Sequence, residues 1–328
     1  MCRAVMSARR VMIIGEHAPG GLRSSIIGGF RDLGWQVEAV DFGPWNPATL
    51  AAAAFRLPYL AGRFRRELSL TVEQRAVGMH WDLVLVVKGP FVNGRTVDHV
   101  RRVASAPVVC WNPDSPFDTA ISNRGAGIPA AISRYDAYVT WADDVADRLR
   151  RAGARKVIVI PFAWDPNVHQ PVEGEGRAAG RIVFVGSGTK DRVAVLSRLS
   201  HFRPIVYGNQ WPEVPGVEVR GPVYGAEMAA VVGEAAWNIN ILRPQNALSH
   251  NMRTFEVPGS GGNQVTAITE DHLRYLAHDP RTRLYATHAE LESILDTDPE
   301  VLSKRPDNLL VGHTYADRVR TLVDALET

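Results

Sequence analysis

The stretch Arg181-Ile-Val-Phe-Val-Gly-Ser187 decides the fold, because it begins a second series of strands and helices halfway along the chain. The preceding residues, Asp165–Gly180 (DPNVHQPVEGEGRAAG), contain turn formers, few large apolar groups and no periodicity, as a linker does. A short apolar run that ends in glycine and serine is typical of a buried parallel strand and its turn into a helix. The sequence therefore predicts an α/β protein with two Rossmann-like, doubly wound halves.

The first half alternates β-branched apolar runs with amphipathic stretches, the pattern of a doubly wound parallel sheet. The predicted strands are Val11–Gly15, Gln36–Phe42, Asp82–Lys88, Pro107–Asn112, Ala137–Trp141 and Val157–Pro161. The predicted helices are Arg23–Leu33, Pro47–Glu67, Arg95–Ala104 and Asp143–Ala152. Loops at the carboxyl ends of parallel strands form the ligand crevice of such sheets. Three of these loops are rich in Gly, Pro, Asn and Asp: Glu16–Gly21, Gly89–Asn93 and Asn112–Asp118.

The second half repeats the alternation. Its predicted strands are Arg181–Ser187, Pro204–Gly208, Val217–Gly221, Trp237–Leu242, Gln264–Ile268 and Thr282–Thr287. Its main predicted helices are Lys190–Leu199, Ala226–Ala236, Arg253–Ser260 and a last one over about Thr314–Leu326. We therefore expect an N-terminal domain over residues 1–163, a linker over 164–180, and a C-terminal domain over 181–328 that ends in this last helix.

The composition is that of an ordinary globular protein, with 45% hydrophobic and 22% charged residues in 328. The net charge of +2 argues against a nucleic-acid binder, which carries a concentrated basic face. Cys2 and Cys110 suggest neither a disulfide framework nor a CxxC metal motif. The apolar run over residues 11–14 is too short for a signal peptide or a membrane span, and no later run is long enough. We therefore expect a cytoplasmic protein without a transmembrane segment.

The segment Ser249–Gly262 (SHNMRTFEVPGSGG) holds the densest set of candidate binding residues. It enters a short helix, whose free N–H groups and partial positive charge suit a diphosphate, and Gly261 is placed to end that helix in a left-handed conformation. Arg253 and Glu256 are three residues apart and share one helical face. The guanidinium can fork onto phosphate oxygens, and the carboxylate can accept both hydroxyls of a ribose. A surface ion pair fits the spacing equally well.

Three parts of this segment, His250–Arg253, Phe255-Glu256 and Pro258–Gly262, resemble the signature of CgeB-like proteins, a branch of the GT-B glycosyltransferases named for a spore-maturation member. The similarity covers most of the chain in order and includes Leu85–Pro90, Trp111–Pro116, Ile160–Ala163 and Val183–Ser187. The resemblance implies a GT-B architecture. In that architecture two Rossmann-like domains with parallel sheets face each other across a cleft, and a C-terminal helix closes the chain.

The resemblance also implies residue roles. The C-terminal domain would bind a nucleoside-diphosphate sugar and the N-terminal domain an acceptor. Glu256 matches the ribose-binding glutamate, and Arg253 and Asn251 are the corresponding candidates for the diphosphate. The chain departs from its relatives at Leu248, where retaining GT-B enzymes often carry glutamate and CgeB-like proteins often aspartate. Since leucine cannot hydrogen-bond a sugar hydroxyl, we expect a different recognition of the donor sugar or weak activity. At Asn263-Gln264 relatives tend to be apolar, so we expect a shorter strand there.

The turn Val185–Arg192 (VGSGTKDR) joins the first strand of the second half to its helix. Gly186 and Gly188 permit close backbone approach, and Ser187 can hydrogen-bond a phosphate. Together with Arg192 they are candidate donor-binding residues. The turn is neither GxGxxG nor a Walker loop, and a generic tight turn fits the same residues.

The equivalent turn of the first half is His17-Ala-Pro-Gly-Gly-Leu-Arg23. GT-B relatives often have a two-glycine loop here that faces the donor diphosphate. Gly20 and Gly21 are therefore candidate donor-binding residues, and a plain turn fits them nearly as well. His17, at the start of the turn, is a candidate catalytic residue.

Two further residues are candidates for the catalytic step. Asp114 follows a buried strand and is a candidate general base on an acceptor hydroxyl, or a residue that holds its loop. His250 is a candidate contact to the donor or to developing charge on the leaving phosphate, or a helix-capping histidine. No D-x-D motif lies at a donor position, so we expect no metal and no cofactor. Arginines and helix dipoles would neutralise the leaving group instead.

Glycosyl transfer from a nucleotide sugar to a small-molecule, glycan or protein acceptor is therefore the expected function. One alternative is a nucleotide-sugar epimerase or hydrolase on the same fold, which needs a set of carboxylates around the sugar ring. Another is a catalytically silent nucleotide-binding or scaffold protein, which Leu248 favours. Fold alone does not separate them.

Overall fold

The protein consists of two compact units. In a computed structural model, the described residues are 8–16, 21–41, 58–90, 92–117, 128–299 and 310–328. Their contacts group Met1–Pro161 with Ala316–Thr328 in a first unit, and Phe162–Tyr315 in a second. Each unit contains one six-stranded sheet. None of the described helices is both long and apolar enough to cross a membrane.

The first unit is built on a parallel sheet. Its strands are β1 (Arg10–Gly15), β2 (Gln36–Asp41), β3 (Leu83–Val87), β4 (Val108–Trp111), β5 (Ala137–Thr140) and β6 (Val157–Val159). They lie in the order β2-β1-β3-β4-β5-β6, and every neighbouring pair is parallel. Every residue of β3, β4 and β5 is buried, as in a parallel sheet with both faces covered. The strand order reverses between β1 and β3.

Besides a C-terminal helix given below, the described helices of the first unit are α1 (Leu22–Asp32), α2 (Pro58–Ala76), α3 (Gly94–Ala104), α4 (Ile128–Ala131) and α5 (Asp143–Arg151). Helix α2 differs from the predicted helix Pro47–Glu67, of which residues 47–57 lie outside the described part of the chain. It continues past Glu67 because Leu68, Val72 and Ala76 recur every four residues and are buried along one side.

The second unit repeats the architecture with a different strand order. Its strands are β7 (Ile182–Val185), β8 (Ile205–Tyr207), β9 (Glu218–Arg220), β10 (Trp237–Asn240), β11 (Gln264–Ala267) and β12 (Thr282–Tyr285). Its helices are α6 (Lys190–Arg198), α7 (Gly225–Glu234), α8 (Arg253–Gly259), α9 (Glu270–Leu276) and α10 (His288–Leu295). The strands are parallel in the order β12-β11-β10-β7-β8-β9, so the order reverses between β7 and β10.

The predicted α/β class with two Rossmann-like parallel sheets is confirmed. The predicted strands are found, mostly shortened by one or two residues at their ends. Gly261 ends α8 in the left-handed conformation with φ 81°, and the N–H of Gly262 donates to the carbonyl of Val257 at 3.0 Å. β11 ends at Ala267, one residue before its predicted end.

The last helix, α11 (Tyr315–Glu327), packs on the first unit, whereas the sequence grouped it with residues 181–328. Nζ of Lys156 donates to the carbonyl of Ala325 at 2.5 Å, and Nε of Arg318 donates to the carbonyl of Pro161 at 3.0 Å. Leu322 of this helix is completely buried. Periodicity showed that the helix is amphipathic, but its apolar side gave no information on which sheet covers it.

We expect Leu322→Ala to destabilise the protein by about 2–5 kcal/mol, because it leaves a cavity beneath α11. The measurement is the midpoint of urea unfolding followed by circular dichroism. Leu248→Ala is the matched control, since this leucine is 77% exposed and its truncation costs about 0.5 kcal/mol or less. Equal midpoints for the two variants would contradict the packing of α11.

Candidate functional site

The candidate site lies at the carboxyl ends of β7 and β10, where the strand order of the second sheet reverses. Such a reversal opens the crevice that binds ligands in doubly wound sheets. Two guanidinium groups converge there. Arg192 on α6 donates to the carbonyls of Ser187 and Ile241, each at 3.1 Å. Nε of Arg253, the first residue of α8, lies 3.4 Å from the carbonyl of Val185.

The positive charges at this edge are crowded. Burial, followed by the charges of Arg243 and Arg253, lowers the pKa of Arg192 to about 10. Burial also lowers the pKa of Arg253 to about 10. Both groups remain charged at neutral pH, and an anion bound between them would relieve their desolvation and mutual repulsion. Nε of Arg192 is buried and, among the described residues, has no hydrogen-bond partner.

Glu256 is the carboxylate of this site, and it is only 2% exposed. Its Oε2 accepts a hydrogen bond from Nη1 of Arg253, one turn earlier on α8. A buried carboxylate needs such a partner, because desolvation costs several kcal/mol per ion. The side chain of Arg253 is 28% exposed, so the pair has one face toward solvent. The burial of Glu256 does not fit the surface ion pair that the spacing alone allowed.

His169 is a member of the site that sequence reasoning missed. Its Nδ1 accepts a hydrogen bond from the N–H of Asp165 at 3.0 Å, so the ring proton lies on Nε2, 3.6 Å from Oε1 of Glu256. Burial, followed by the charge of Arg253, lowers the pKa of His169 to about 4, and the ring is neutral at pH 7. The residue lies in the predicted linker, where no periodicity or motif indicated a buried role.

Asn251 caps the first turn of α8. Its Oδ1 accepts from the N–H of Thr254 at 3.2 Å, and Oγ1 of Thr254 accepts from the N–H of Asn251 at 3.3 Å. Nδ2 of Asn251 donates to Oδ1 of Asn240, the last residue of β10, at 2.7 Å. The asparagine predicted to bind the diphosphate thus uses its side chain to position α8 against β10.

His250 is completely buried and has partners at both ring nitrogens. Nε2 accepts from the N–H of Phe162 at 3.0 Å, and Nδ1 lies 2.6 Å from Oδ2 of Asp271. Burial raises the pKa of Asp271, but the hydrogen bonds from His250 and Ser249 outweigh it and hold that pKa below its usual value. These contacts hold the residues before α8 in place, and the catalytic role of His250 stays a prediction.

His272 supports α8 from α9. Its Nδ1 lies 2.7 Å from the carbonyl of Ala267 and its Nε2 lies 3.0 Å from Oγ1 of Thr254. The carbonyl only accepts, so Nδ1 carries the proton and Nε2 accepts from the threonine hydroxyl. Burial lowers the pKa of His272 to about 4. The buried, neutral imidazole of His272 therefore helps to hold α8 in place.

The glycine turn after β7 binds the neighbouring chain segment. The N–H of Gly186 donates to the carbonyl of Tyr207 at 2.9 Å, and the N–H of Gly188 donates to the carbonyl of Asn209 at 2.8 Å. A Cβ on Gly188 would collide with the backbone carbonyl of Gln210. The two glycines serve this close approach, and their amides are occupied by carbonyls. Ser187 contributes its carbonyl to Arg192.

Two of the predicted residues of the first unit, Gly21 and Asp114, are described. Gly21 precedes the first residue of α1, and Asp114 forms an ion pair with Lys88 at 2.5 Å. His17 and Gly20 lie outside the described residues. Across the described ranges, no group of three or more His, Cys, Asp or Glu side chains is arranged to hold a metal ion.

The second unit therefore brings together Arg192, Arg253 and Glu256 as predicted, and it adds His169 and the exposed Arg243. Arginine is common in this chain, so the sequence offered no signal that singled out Arg243.

We expect the second unit to lose stability as the pH falls from about 6.5 to about 4. Unfolded histidine titrates near 6.5, whereas folded His169 and His272 titrate near 4, so the unfolded chain binds protons first. Urea midpoints at pH 7 and pH 5 measure the effect. His169→Gln and His272→Gln should each reduce the difference between the two midpoints. The exposed His278→Gln is the control and should leave it unchanged; a wild-type midpoint independent of pH would contradict neutral buried rings.

The sequence matches the model of the glycosyl transferase-like family over residues 190–324, less than half of the chain. The matched range contains Arg192, Arg253 and Glu256. No curated protein matches the sequence.

Solved structures share the fold at low sequence identity. The α,α-trehalose 6-phosphate synthase from Burkholderia multivorans has a TM-score of 0.63 and 11% identity, with 98% of each chain covered. The UDP-N-acetylglucosamine 2-epimerase from Rickettsia bellii has a TM-score of 0.57 and 11% identity, covering 98% of this chain and 97% of the other. In the GtfA/B complex the match has a TM-score of 0.48 and 9% identity over 80% of this chain, which spans 60% of the matched chain's length.

These similarities show a two-domain GT-B fold. Within that fold, the range that matches the glycosyl transferase-like model contains the arginine cluster and its buried glutamate.

Proposed function

We propose that the protein is a glycosyltransferase that takes a sugar from a nucleoside-diphosphate sugar, and that it belongs to the CgeB-like branch that its sequence resembles. The observation that carries the proposal is the buried Glu256, held by Arg253 at the first turn of α8, with Arg192 beside it. The group lies at the strand reversal between β7 and β10, the place where a nucleotide binds in doubly wound folds.

Each part of this group corresponds to one part of the donor. Arg253, Arg192 and the exposed Arg243 would bind the diphosphate and neutralise the charge that develops on it as the glycosidic bond breaks. Glu256 would accept hydrogen bonds from the ribose hydroxyls. His169, by facing Oε1, would fix the orientation in which the carboxylate meets the ribose. In this proposal arginines supply the positive charge, and no resident metal or cofactor takes part.

The acceptor would bind in the first unit. Asp114 would remove a proton from the attacking hydroxyl. Its ion pair with Lys88 at 2.5 Å fixes the carboxylate at the carboxyl end of β4, where a polar substrate has access. A cytoplasmic location is part of the same proposal, because nucleotide sugars would be available to the enzyme there.

We expect at least one of UDP, GDP, dTDP and CMP to raise the melting temperature of the protein. Glu256→Gln should weaken that nucleotide about tenfold or more, because a hydrogen bond to a charged group contributes about 1.5–3 kcal/mol. The measurement is a thermal-shift titration, followed by calorimetry with the responding nucleotide. Glu227→Gln is the matched control, since its carboxylate is exposed and pairs with Arg177 on the surface.

Two results would refute the assignment. The absence of any response at about millimolar nucleotide would refute the donor site. A dissociation constant above that concentration is weaker than the affinity of enzymes for their substrates. An unchanged affinity in Glu256→Gln would remove the ribose role of the carboxylate.

We expect the sugar nucleotide of the responding base to release its nucleotide rapidly only when an acceptor is present. Asp114→Asn should slow transfer about 100-fold or more, the usual contribution of a general base, and should leave nucleotide affinity unchanged. Chromatography of the products measures the rate of transfer, and calorimetry measures the nucleotide affinity. Release of free or epimerised sugar without acceptor would favour a hydrolase or epimerase, and nucleotide binding without turnover would favour a silent binding protein.

A further inference from the structure

A small pocket lies entirely within the first unit. It is lined by Glu16, Gly21, Leu22, Arg23, Val87, Lys88, Pro90 and Pro113. Glu16 follows β1 and Lys88 follows β3, so the pocket sits where the strand order of the first sheet reverses. In a doubly wound sheet this reversal separates two adjacent loops and leaves room for a ligand.

Arg23 gives the pocket a buried charge. The residue is 4% exposed, and its Nη1 pairs with Oδ1 of Asp41. Its Nε is buried and has no hydrogen-bond partner among the described residues. A buried donor without a partner costs free energy, so a ligand acceptor at this position would be stabilising.

The N-terminus of α1 adds a partial positive charge to the same wall. Gly21 is its N-cap and provides no side-chain cap, and the first turn of α1 contains no acidic residue. The N–H of Ser24 already donates to the carbonyl of Gly21 at 2.9 Å, so this end of the 11-residue helix offers an anion its partial positive charge. α1 presents Leu22 and Arg23 to the pocket from this end.

Lys88 gives the second full positive charge. It has φ 62°, a left-handed conformation that is uncommon for a residue with a Cβ, and the chain maintains it at the end of β3. Its Nζ lies 2.5 Å from Oδ2 of Asp114, and its side chain is 25% exposed. The ammonium has further donors, since it carries three protons.

We propose that this pocket binds the anionic group, phosphate or carboxylate, of a hydroxylated acceptor. The anion lies against Arg23, Lys88 and the N-terminus of α1. Glu16 lines the same pocket, and its carboxylate would accept a hydrogen bond from a hydroxyl, so the pocket suits a small molecule that has both kinds of group. Its reading as the acceptor site rests on the proposed glycosyl transfer.

The direct test observes Arg23 in the full chain. Arginine Nε–H signals are recorded by transverse-relaxation-optimised NMR, and the signal of Arg23 is assigned by its loss in Arg23→Gln. The chain is titrated with inorganic phosphate, glucose 6-phosphate, glucuronate and glucose at constant ionic strength. We expect a saturable shift with a phosphate or with glucuronate, which distinguishes the two anions, and none with glucose.

Lys88→Met changes a residue on the side of the pocket that faces solvent. It therefore provides a second test of the pocket if Arg23→Gln does not fold. It should weaken the responding anion about tenfold, equivalent to about 1.4 kcal/mol. Arg253→Ala is the control: it should weaken nucleotide binding and leave the Arg23 response unchanged. The pocket is refuted if no anion shifts the Arg23 signal, if Lys88→Met leaves the affinity unchanged, or if the response disappears in Arg253→Ala.

The same samples separate this proposal from the proposed function. If the Arg23 signal shifts with an anion but the protein binds no nucleotide, the anion pocket is supported and its interpretation as an acceptor site is refuted. Nucleotide binding without an Arg23 response would remove the pocket and leave the donor site standing.

Discussion

The ion pair between Arg253 and Glu256 is the interaction on which the candidate site of the second unit depends. Glu256 is 2% exposed, and removal of one partner from a buried ion pair typically costs about 3–5 kcal/mol. The two residues lie three apart on α8, so the orientation of this helix decides whether they meet. The contacts around α8 therefore decide whether the site forms, because they fix the orientation of this helix.

Three buried histidines support that short helix without adding charge. His250 ties the residues before α8 to Phe162 and Asp271, His272 accepts from Thr254 within the first turn, and His169 faces Glu256. His169 and His272 are neutral at pH 7 because burial lowers the pKa of each to about 4. Neutral rings donate and accept one hydrogen bond each, so they fix geometry without competing with the arginines for the carboxylate.

The strand reversals of the two units carry different sets of charged side chains. In the second unit, arginines predominate and leave an edge with excess positive charge, suited to a diphosphate. In the first unit, Arg23 and Lys88 line a pocket together with Glu16, so positive and negative groups share it. The difference fits the proposed function, in which one unit would bind a diphosphate and the other an acceptor with hydroxyls.

The sequence by itself determined the α/β class, both parallel sheets and the grouping of Arg253 with Glu256. Apolar runs with period two or 3.6, glycine turns and residues three apart are local features, and local sterics are sufficient to define them. Only the tertiary structure decided that His169 reaches Glu256, that His250 and Asn251 hold α8, and that α11 packs on the first unit. These contacts join residues far apart in the chain, and burial, which sets the charge state of each group, exists only once the sheets and helices have packed.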